Sequence, residues 1–162
     1  MSEKNLSALF LDTLKDIYYA EKQIYKSLPK MAKVASSDQL RNAFEKHHDE
    51  TEGHIERLEK IFDLLGKPAR GKNCDAIEGT LDEGEEIMDG YKDAPALDAG
   101  LLAAAQAVEH YEISRYGTLK SWAAKLNMNE AVKLLDQTLA EEKKTDDTLS
   151  KIAVSAINAE AA

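Results

Sequence analysis

Carboxylates and imidazoles recur at helical spacing in this sequence, at positions where buried apolar residues are expected. Glu21 is the first of them. It follows Ile17 by four residues and precedes Ile24 by three, which places it on the apolar stripe of an amphipathic helix. Buried acids are rare unless they are paired or bind a metal ion. A single acid of this kind is weak evidence, but three further segments repeat the pattern.

The other members of the set lie near the middle of three later predicted helices. They are His47, Glu50 and His54 in the second, Glu109 and Glu112 in the third, and Glu142 and Asp146 in the fourth. Residues three or four apart share one side of a helix, so each segment presents its members together. Short turns join the first helix to the second and the third to the fourth. Each hairpin therefore brings its acidic positions to similar heights, and we predict one cluster.

Electrostatics limits what such a cluster can be. Two bare carboxylates about 4 Å apart repel by about 4 kcal/mol at an effective dielectric constant near 20. Several of them in one core would exceed the total stability of a domain, which is about 5–15 kcal/mol. The carboxylates must share protons, meet basic residues or bind cations. Oxygen ligands with one or two imidazoles, facing inward from four helices, are typical of a two-metal site. A proton-sharing polar core is the alternative.

Composition and charge set the class of protein. The chain has 162 residues, enough for one domain with a core, and is rich in strong helix formers. A net charge of −9 disfavours nucleic acid and anionic membrane surfaces as partners. The sequence contains no apolar run long enough to span a membrane and no signal-peptide pattern. The single cysteine, Cys74, cannot form an internal disulfide, and we expect a cytoplasmic protein.

The pattern predicts an all-α domain of two antiparallel helical hairpins joined by a long crossover. The four long helices are expected at about 6–34, 38–65, 96–126 and 130–158, and the crossover at 66–95 carries a short helix from about 75 to 88. Pro29 is expected to kink or interrupt the first helix. Ser37 or Asp38 is expected to cap the second, and Gly66 to end it. A crossover of this length lets the third helix run parallel to the second.

Four motifs resemble the YciE/YciF-like branch of the ferritin-like superfamily, bacterial proteins linked to stress responses. They are Tyr19-Ala20-Glu21-Lys22-Gln23, His47-x-x-Glu50-Thr51-x-Gly53, Val108-Glu109-His110-Tyr111-Glu112 and Glu141-Glu142-Lys143-x-Thr145-Asp146. The resemblance covers nearly the whole chain. One departure from the usual ferritin-like signature concerns spacing: His54 follows Glu50 by four residues, and no second histidine follows Glu142. The resemblance implies a ferritin-like four-helix bundle with a dinuclear iron-type centre, often in a homodimer.

The resemblance also suggests roles for the cluster residues. Glu50 and Glu142 are expected to bridge or chelate, and Glu21 and Glu109 to be terminal ligands. Glu112 resembles the extra glutamate of rubrerythrin-like sites. His54 is the preferred nitrogen ligand and His47 the second choice, while Asp146 completes the set. Two iron ions are the expected cofactor, with manganese or zinc as alternatives.

Residues around the cluster are expected to play supporting roles. Tyr18, Tyr111 and Tyr116 are expected to be core aromatics, with hydrogen bonds to ligand carboxylates as the alternative. His48 and His110 lie off the stripes, where contact with solvent or with the ligand residues is expected.

Three functions remain open at the level of sequence. The first is an oxidoreductase whose metal centre reacts with oxygen or peroxide during stress. The second is sequestration of metal without turnover, and the third is a structural or interaction protein that metal holds together. A visible iron spectrum that changes with oxygen would separate the first function from the other two.

Overall fold

Helices account for nearly all of residues 4–162, which the computed structural model describes. The elements are α1 (Leu6–Val34), α2 (Asp38–Leu64), α3 (Asp75–Gly90), α4 (Leu97–Lys125), α5 (Asn129–Ile152), a π-helical segment (Ala153–Ile157) and α6 (Asn158–Ala161). The long helices begin and end close to the predicted positions. The fourth differs at its C-terminal end, where the chain widens into the π-helical segment instead of continuing as α-helix.

The turn between α1 and α2 contains one of the two helix caps that the sequence predicts. The Ser37 hydroxyl accepts a hydrogen bond from the Leu40 amide at 3.3 Å, so Ser37 caps α2 and Asp38 is its first residue. The helix α1 continues through Pro29 to Val34 without interruption. The buried side chains of Leu28 and Met31 hold the helix against the core on either side of the proline.

The crossover between α2 and α4 runs over α1. It begins at Gly66, whose φ of +62° ends α2 in the left-handed conformation that glycine adopts readily. The Lys72 amide donates to the Lys15 carbonyl oxygen at 3.1 Å, which fixes the extended part of the crossover to α1. The helix α3 then packs against α4. A Cβ at Gly100 would lie 2.6 Å from Ile87 Cγ2, so this close approach requires glycine.

The start of α4 lies beside the start of α2. The Asp98 carboxylate accepts hydrogen bonds from the Ser36 amide at 2.9 Å and the Ser37 amide at 2.7 Å. Because both helices begin at this end of the bundle, α4 runs parallel to α2, as the length of the crossover predicts. In the bundle α1 contacts α2 and α4, and α5 contacts α4 and α2. This arrangement turns one face of each long helix toward a common interior.

The interior combines a large apolar core with buried polar residues. The largest buried side chains include Phe10, Phe44, Phe62, Leu101 and Tyr116. Buried acids and histidines lie among these apolar residues, near the middle of the four long helices. Within residues 4–162, every helix is too short or too polar to cross a membrane.

Replacing Asp98 with alanine is expected to lower the free energy of unfolding by about 3 kcal/mol. Two backbone amides of the α1–α2 turn would lose a charged acceptor, and such hydrogen bonds contribute about 1.5–3 kcal/mol each. Chemical unfolding followed by circular dichroism measures the change. Asp82→Ala, on the exposed side of α3, is the matched control and should change stability by less than about 0.5 kcal/mol. Equal effects of the two substitutions would contradict this role of Asp98.

Candidate metal centre

Six of the predicted site residues meet in the interior of the bundle. They are Glu21 from α1, His47 and His54 from α2, Glu109 and Glu112 from α4, and Glu142 from α5. None of these side chains is more than 3% exposed. We call these six residues the core cluster. It draws on all four long helices, as the stripes in the sequence predict.

The core cluster contains two groups of possible metal ligands. The first is Glu21, His54 and Glu142, and the second is His47, Glu109, Glu112 and Glu142. Within each group, one nitrogen or oxygen atom of every residue lies within 4.8 Å of the others. Glu142 belongs to both groups. Its carboxylate therefore lies within reach of the ligand atoms of both groups.

Helical geometry explains why these residues converge. His47 and His54 are seven residues apart, which is about two turns of α2, so both rings lie on one side. Glu109 and Glu112 are separated by about one turn of α4. Glu142 lies between the two imidazoles. Its Oε1 is 2.7 Å from His54 Nδ1, and its Oε2 is 3.5 Å from His47 Nε2.

Glu21 is oriented by a buried tyrosine. The Tyr116 hydroxyl donates a hydrogen bond of 2.6 Å to Glu21 Oε1, so this buried aromatic also contacts one of the predicted ligand residues. The other two tyrosines considered in the sequence have different partners. Tyr18 donates to Glu59, and the Tyr111 hydroxyl lies 3.0 Å from the sulfur of Cys74. Glu21 Oε1 also lies 3.4 Å from His54 Nδ1, and Oε2 is buried without a hydrogen-bond partner.

The core cluster is short of hydrogen-bond partners. Nine of its buried polar atoms have none: Glu21 Oε2, His47 Nε2, His54 Nδ1, and both oxygens of Glu109, Glu112 and Glu142. The charged contacts of these atoms include those of Glu142 with the two imidazoles and of Glu109 with His47. Each buried polar group without a partner costs about 1–3 kcal/mol. Carboxylate oxygens and imidazole nitrogens are ligands of divalent transition metals, so the donor set fits the metal pair that the sequence analysis suggested.

Proton sharing is the means by which the core cluster limits its charge without metal. Burial, together with neighbouring carboxylates, raises the pKa of Glu112 well above its usual value. Burial and Glu142 raise the pKa of Glu109, although His47 opposes the shift. Burial raises the pKa of Glu142, but Glu109 and the two histidines outweigh it and hold this pKa well below its usual value.

The two histidines carry the compensating charge. Burial lowers the pKa of His47, but Glu109 and Glu142 outweigh it and raise the value to about 10. For His54, Glu21 and Glu142 overcome the same penalty and raise the pKa to about 11. Without metal, the neighbouring carboxylates therefore favour the protonated form of both imidazoles.

Two of the predicted ligands, Glu50 and Asp146, lie outside the core cluster. Glu50 is 24% exposed and accepts a hydrogen bond from the Thr145 hydroxyl at 3.2 Å. It lies on α2 toward α5, one turn from His47 and off the line through His47 and His54. Asp146 is 22% exposed and contacts Gln106 and His110 on α4, both at 3.2 Å. Four residues turn a helix about 40° past a full turn, which carries Asp146 away from the interior.

The remaining histidines also lie outside the core cluster. The ring of His48 stacks on Tyr25 with 4.1 Å between centroids, and its side chain is 27% exposed. His110 is 68% exposed. Both residues lie off the apolar stripes in the sequence, and both are partly or largely exposed in the structure.

An ion pair at the edge of the core cluster was missed in the sequence analysis. The guanidinium of Arg57 donates to both oxygens of Glu141, at 2.9 and 2.8 Å, and Glu141 Oε2 lies 2.9 Å from His54 Nε2. The one sequence signal was that Arg57 follows His54 by three residues, one turn along α2. Glu141 gave no such signal, because it is adjacent to Glu142 and falls off the buried stripe.

A small cleft between α2 and α5 reaches the core cluster. Its volume is about 20 Å³, and its lining includes His47, Glu50 and Thr145. A volume of this size holds about one water molecule. Glu50 lines this cleft, between the core cluster and the surface, and does not lie among the ligand groups as the sequence analysis expected.

Comparisons with known proteins agree on the fold and on a YciF-like family. The chain is 40% identical over 162 residues to protein YciF of Escherichia coli K12, covering 99% of this chain and 98% of that protein. The crystal structure of the E. coli stress protein YciF superposes with a TM-score of 0.91 at 39% identity, covering 96% of this chain and 99% of that one. This match confirms the ferritin-like fold.

A second close structure is YcfI from Rhodopseudomonas palustris, described as a candidate structural protein. It superposes with a TM-score of 0.90 at 43% identity, covering 94% of this chain and 99% of that one. Residues 5–162 match the family model described as a domain of unknown function, DUF892. The resemblance seen in the sequence is thereby confirmed, and the chain belongs to the DUF892 family of YciF-like proteins.

Proposed function

We propose that this protein binds two divalent metal ions in the core cluster and uses them in oxygen or peroxide chemistry as a stress-associated oxidoreductase. The observation that carries the proposal is the set of nine unpartnered buried polar atoms converging from four helices. The similarity of this chain to the E. coli stress protein YciF supports a role in the stress response. The homodimer that the resemblance implies stays a prediction.

The charges of the core cluster match two divalent ions. Glu21, Glu109, Glu112 and Glu142 would supply four negative charges, and two such ions supply four positive charges. Glu21 and His54 would hold one ion, while His47, Glu109 and Glu112 would hold the other, with Glu142 shared. Iron is the metal expected from the resemblance, and manganese or zinc accepts the same ligand types.

The surrounding residues prepare the site for a small reactant. Tyr116 fixes one oxygen of Glu21 and leaves the other without a hydrogen-bond partner. Apolar packing of the bundle excludes bulk water, since every cluster side chain is almost fully buried. The cleft lined by His47 has room for about one water-sized molecule, which suits oxygen or peroxide better than an organic substrate. A bound redox metal would supply the electrons.

Metal sequestration or a purely structural metal is the second candidate. The complete burial of the core cluster favours it, because a closed site holds an ion without turnover. The description of YcfI as a candidate structural protein points the same way. These functions and the oxidoreductase share one site, so the distinguishing measurement must follow what happens after metal is bound.

Anaerobic loading with iron(II), followed by oxygen or peroxide, is expected to produce a visible absorption band. A redox-active centre requires this change because its iron becomes oxidised. Stopped-flow absorbance measures its rate, and zinc-loaded protein is the control without redox chemistry. Stable binding of about two iron(II) ions per chain with no oxygen-dependent or peroxide-dependent change would favour sequestration or a structural metal.

Glu142→Gln is expected to abolish most metal binding, whereas Glu50→Gln should retain about two ions per chain. Glu142 belongs to both ligand groups, but Glu50 bonds to Thr145 outside them. Elemental analysis after loading and desalting measures the difference. A comparable loss from Glu50→Gln would show that Glu50 ligates metal, as the sequence analysis expected. A full metal complement in Glu142→Gln would contradict the assigned centre.

Without metal, Glu112→Gln should make the protein more stable, and the gain should increase with pH. The raised pKa of Glu112 means that the folded state holds a proton which the unfolded state releases above about pH 4.5. Each such proton lowers the free energy of unfolding by about 1.4 kcal/mol per pH unit, until pH passes the folded pKa. Glutamine is neutral and has nearly the same volume, so the variant avoids this loss.

Urea unfolding in a chelator from pH 5 to 8 tests this comparison. Glu52→Gln, an exposed substitution on α2, is the control and should follow wild type across the range. Glu112 is preferable to Glu109 because Glu109 Oε1 lies 2.9 Å from His47 Nδ1, and its removal would leave an imidazolium without that partner. A Glu112→Gln variant that is less stable than wild type at pH 8 would show that this carboxylate is favourably paired.

A further inference from the structure

The two buried imidazoles differ in what surrounds them. One nitrogen of His54 contacts the core cluster and the other contacts a residue outside it. Nδ1 lies 2.7 Å from Glu142 and 3.4 Å from Glu21, whereas Nε2 lies 2.9 Å from Glu141. His47 instead turns both nitrogens toward members of the core cluster, with Nδ1 2.9 Å from Glu109 and Nε2 3.5 Å from Glu142. Of the two histidines, only His54 therefore has one nitrogen toward the core cluster and the other toward a residue outside it.

Consecutive residues of α5 hold the two sides of His54. Neighbouring side chains on a helix point about 100° apart, so Glu142 reaches into the interior while Glu141 reaches toward α2. Glu142 is fully buried, and Glu141 is 29% exposed. The ring lies between them and is 0% exposed, which leaves it little freedom to turn.

Arg57 holds Glu141 in place. Its Nη1 donates to Glu141 Oε2 at 2.9 Å, and its Nη2 donates to Oε1 at 2.8 Å, which is the bidentate geometry of a strong ion pair. Nη1 also donates to the Thr138 hydroxyl at 3.0 Å. Thr138 is buried on α5, one turn before Glu141. Arg57 therefore holds both oxygens of the carboxylate, and one of them, Oε2, also lies 2.9 Å from His54 Nε2.

A neutral imidazole has one N–H and one lone pair, and an acceptor beside one nitrogen decides which atom carries the hydrogen. We infer that Glu141, clamped by Arg57, is the positioning residue that keeps a hydrogen on His54 Nε2, so that Nδ1 is the nitrogen that gives up its proton and turns its lone pair toward the metal when metal binds. The inference rests on the proposed metal-binding function. It also distinguishes the histidines: His54 is pre-oriented as a ligand, and His47 has no comparable partner outside the core cluster among its contacts.

Glu141→Gln is expected to weaken cobalt(II) binding by about 10- to 100-fold, the range found when an outer partner of a metal ligand is removed. Glutamine keeps the size of the side chain but loses its charge. Glu56→Gln, exposed on α2 close to Arg57, is the matched control and should bind cobalt(II) as wild type does. Arg57→Lys keeps a positive charge without the bidentate geometry and should cause a smaller loss of affinity. Competition with a chromogenic chelator measures each dissociation constant.

A double-mutant cycle separates positioning from a structural contribution of the ion pair. If Glu141 acts through His54, adding Glu141→Gln to a His54→Gln protein should change cobalt(II) affinity by less than about threefold. An equal loss in both backgrounds would overturn the inference, as would an unchanged affinity in the single variant. If wild type binds no cobalt(II), the proposed metal-binding function fails instead.

Nuclear magnetic resonance of zinc-loaded protein gives a readout that does not depend on activity or affinity. With ¹⁵N-labelled histidine, wild type should show a slowly exchanging proton on His54 Nε2 and no proton on Nδ1. In Glu141→Gln this Nε2 proton should exchange faster or its signal should shift. The same spectrum in both proteins, with the proton on Nδ1, would contradict the assignment. Circular dichroism confirms beforehand that each variant is folded.

Discussion

The constraint on which this bundle depends is the placement of four carboxylates in one apolar interior. Repulsion among buried charges and the cost of removing them from water oppose folding unless protons, imidazolium groups or cations compensate. His47 and His54 provide part of that compensation in the metal-free protein, where Glu109 and Glu112 have raised pKa values. Two divalent ions would replace the shared protons. The same residues therefore relate stability, metal content and pH.

The fold brings the acids together from distant parts of the chain. Glu21 on α1 and Tyr116 on α4 meet through one buried hydrogen bond, although 95 residues separate them in sequence. This contact depends on the crossover, which brings the start of α4 beside the start of α2. There Asp98 accepts hydrogen bonds from the turn between α1 and α2. The contact of Gly100 with Ile87 fixes α3 on α4 at the same end. Elements far from the metal centre thus determine its alignment.

An outer layer of polar contacts surrounds the core cluster. Tyr116 leaves one oxygen of Glu21 free, and Glu141 leaves one nitrogen of His54 free. Glu141 occupies the nitrogen of His54 that faces away from the other cluster residues, whereas the oxygen of Glu21 bonded to Tyr116 also lies 3.4 Å from His54 Nδ1. Orientation of this kind before metal arrives reduces the cost of ordering the ligands on binding.

The sequence alone determined the helices, their order and most of the core cluster. Periodicity of 3.6 residues is a local property, so the stripes containing Glu21, Glu109 and Glu142 are visible without any tertiary information. Turn chemistry at Ser37 and Gly66 is local for the same reason. Only the tertiary structure decided that Glu50 and Asp146 lie outside the core cluster. Each is displaced by about 40–60° around its helix axis from a cluster residue, His47 or Glu142, and this angle separates an interior position from a groove between helices. The tertiary structure also decided the partners of His54, because the pairing of Arg57 with Glu141 depends on the packing of α2 against α5 and has no counterpart in sequence spacing.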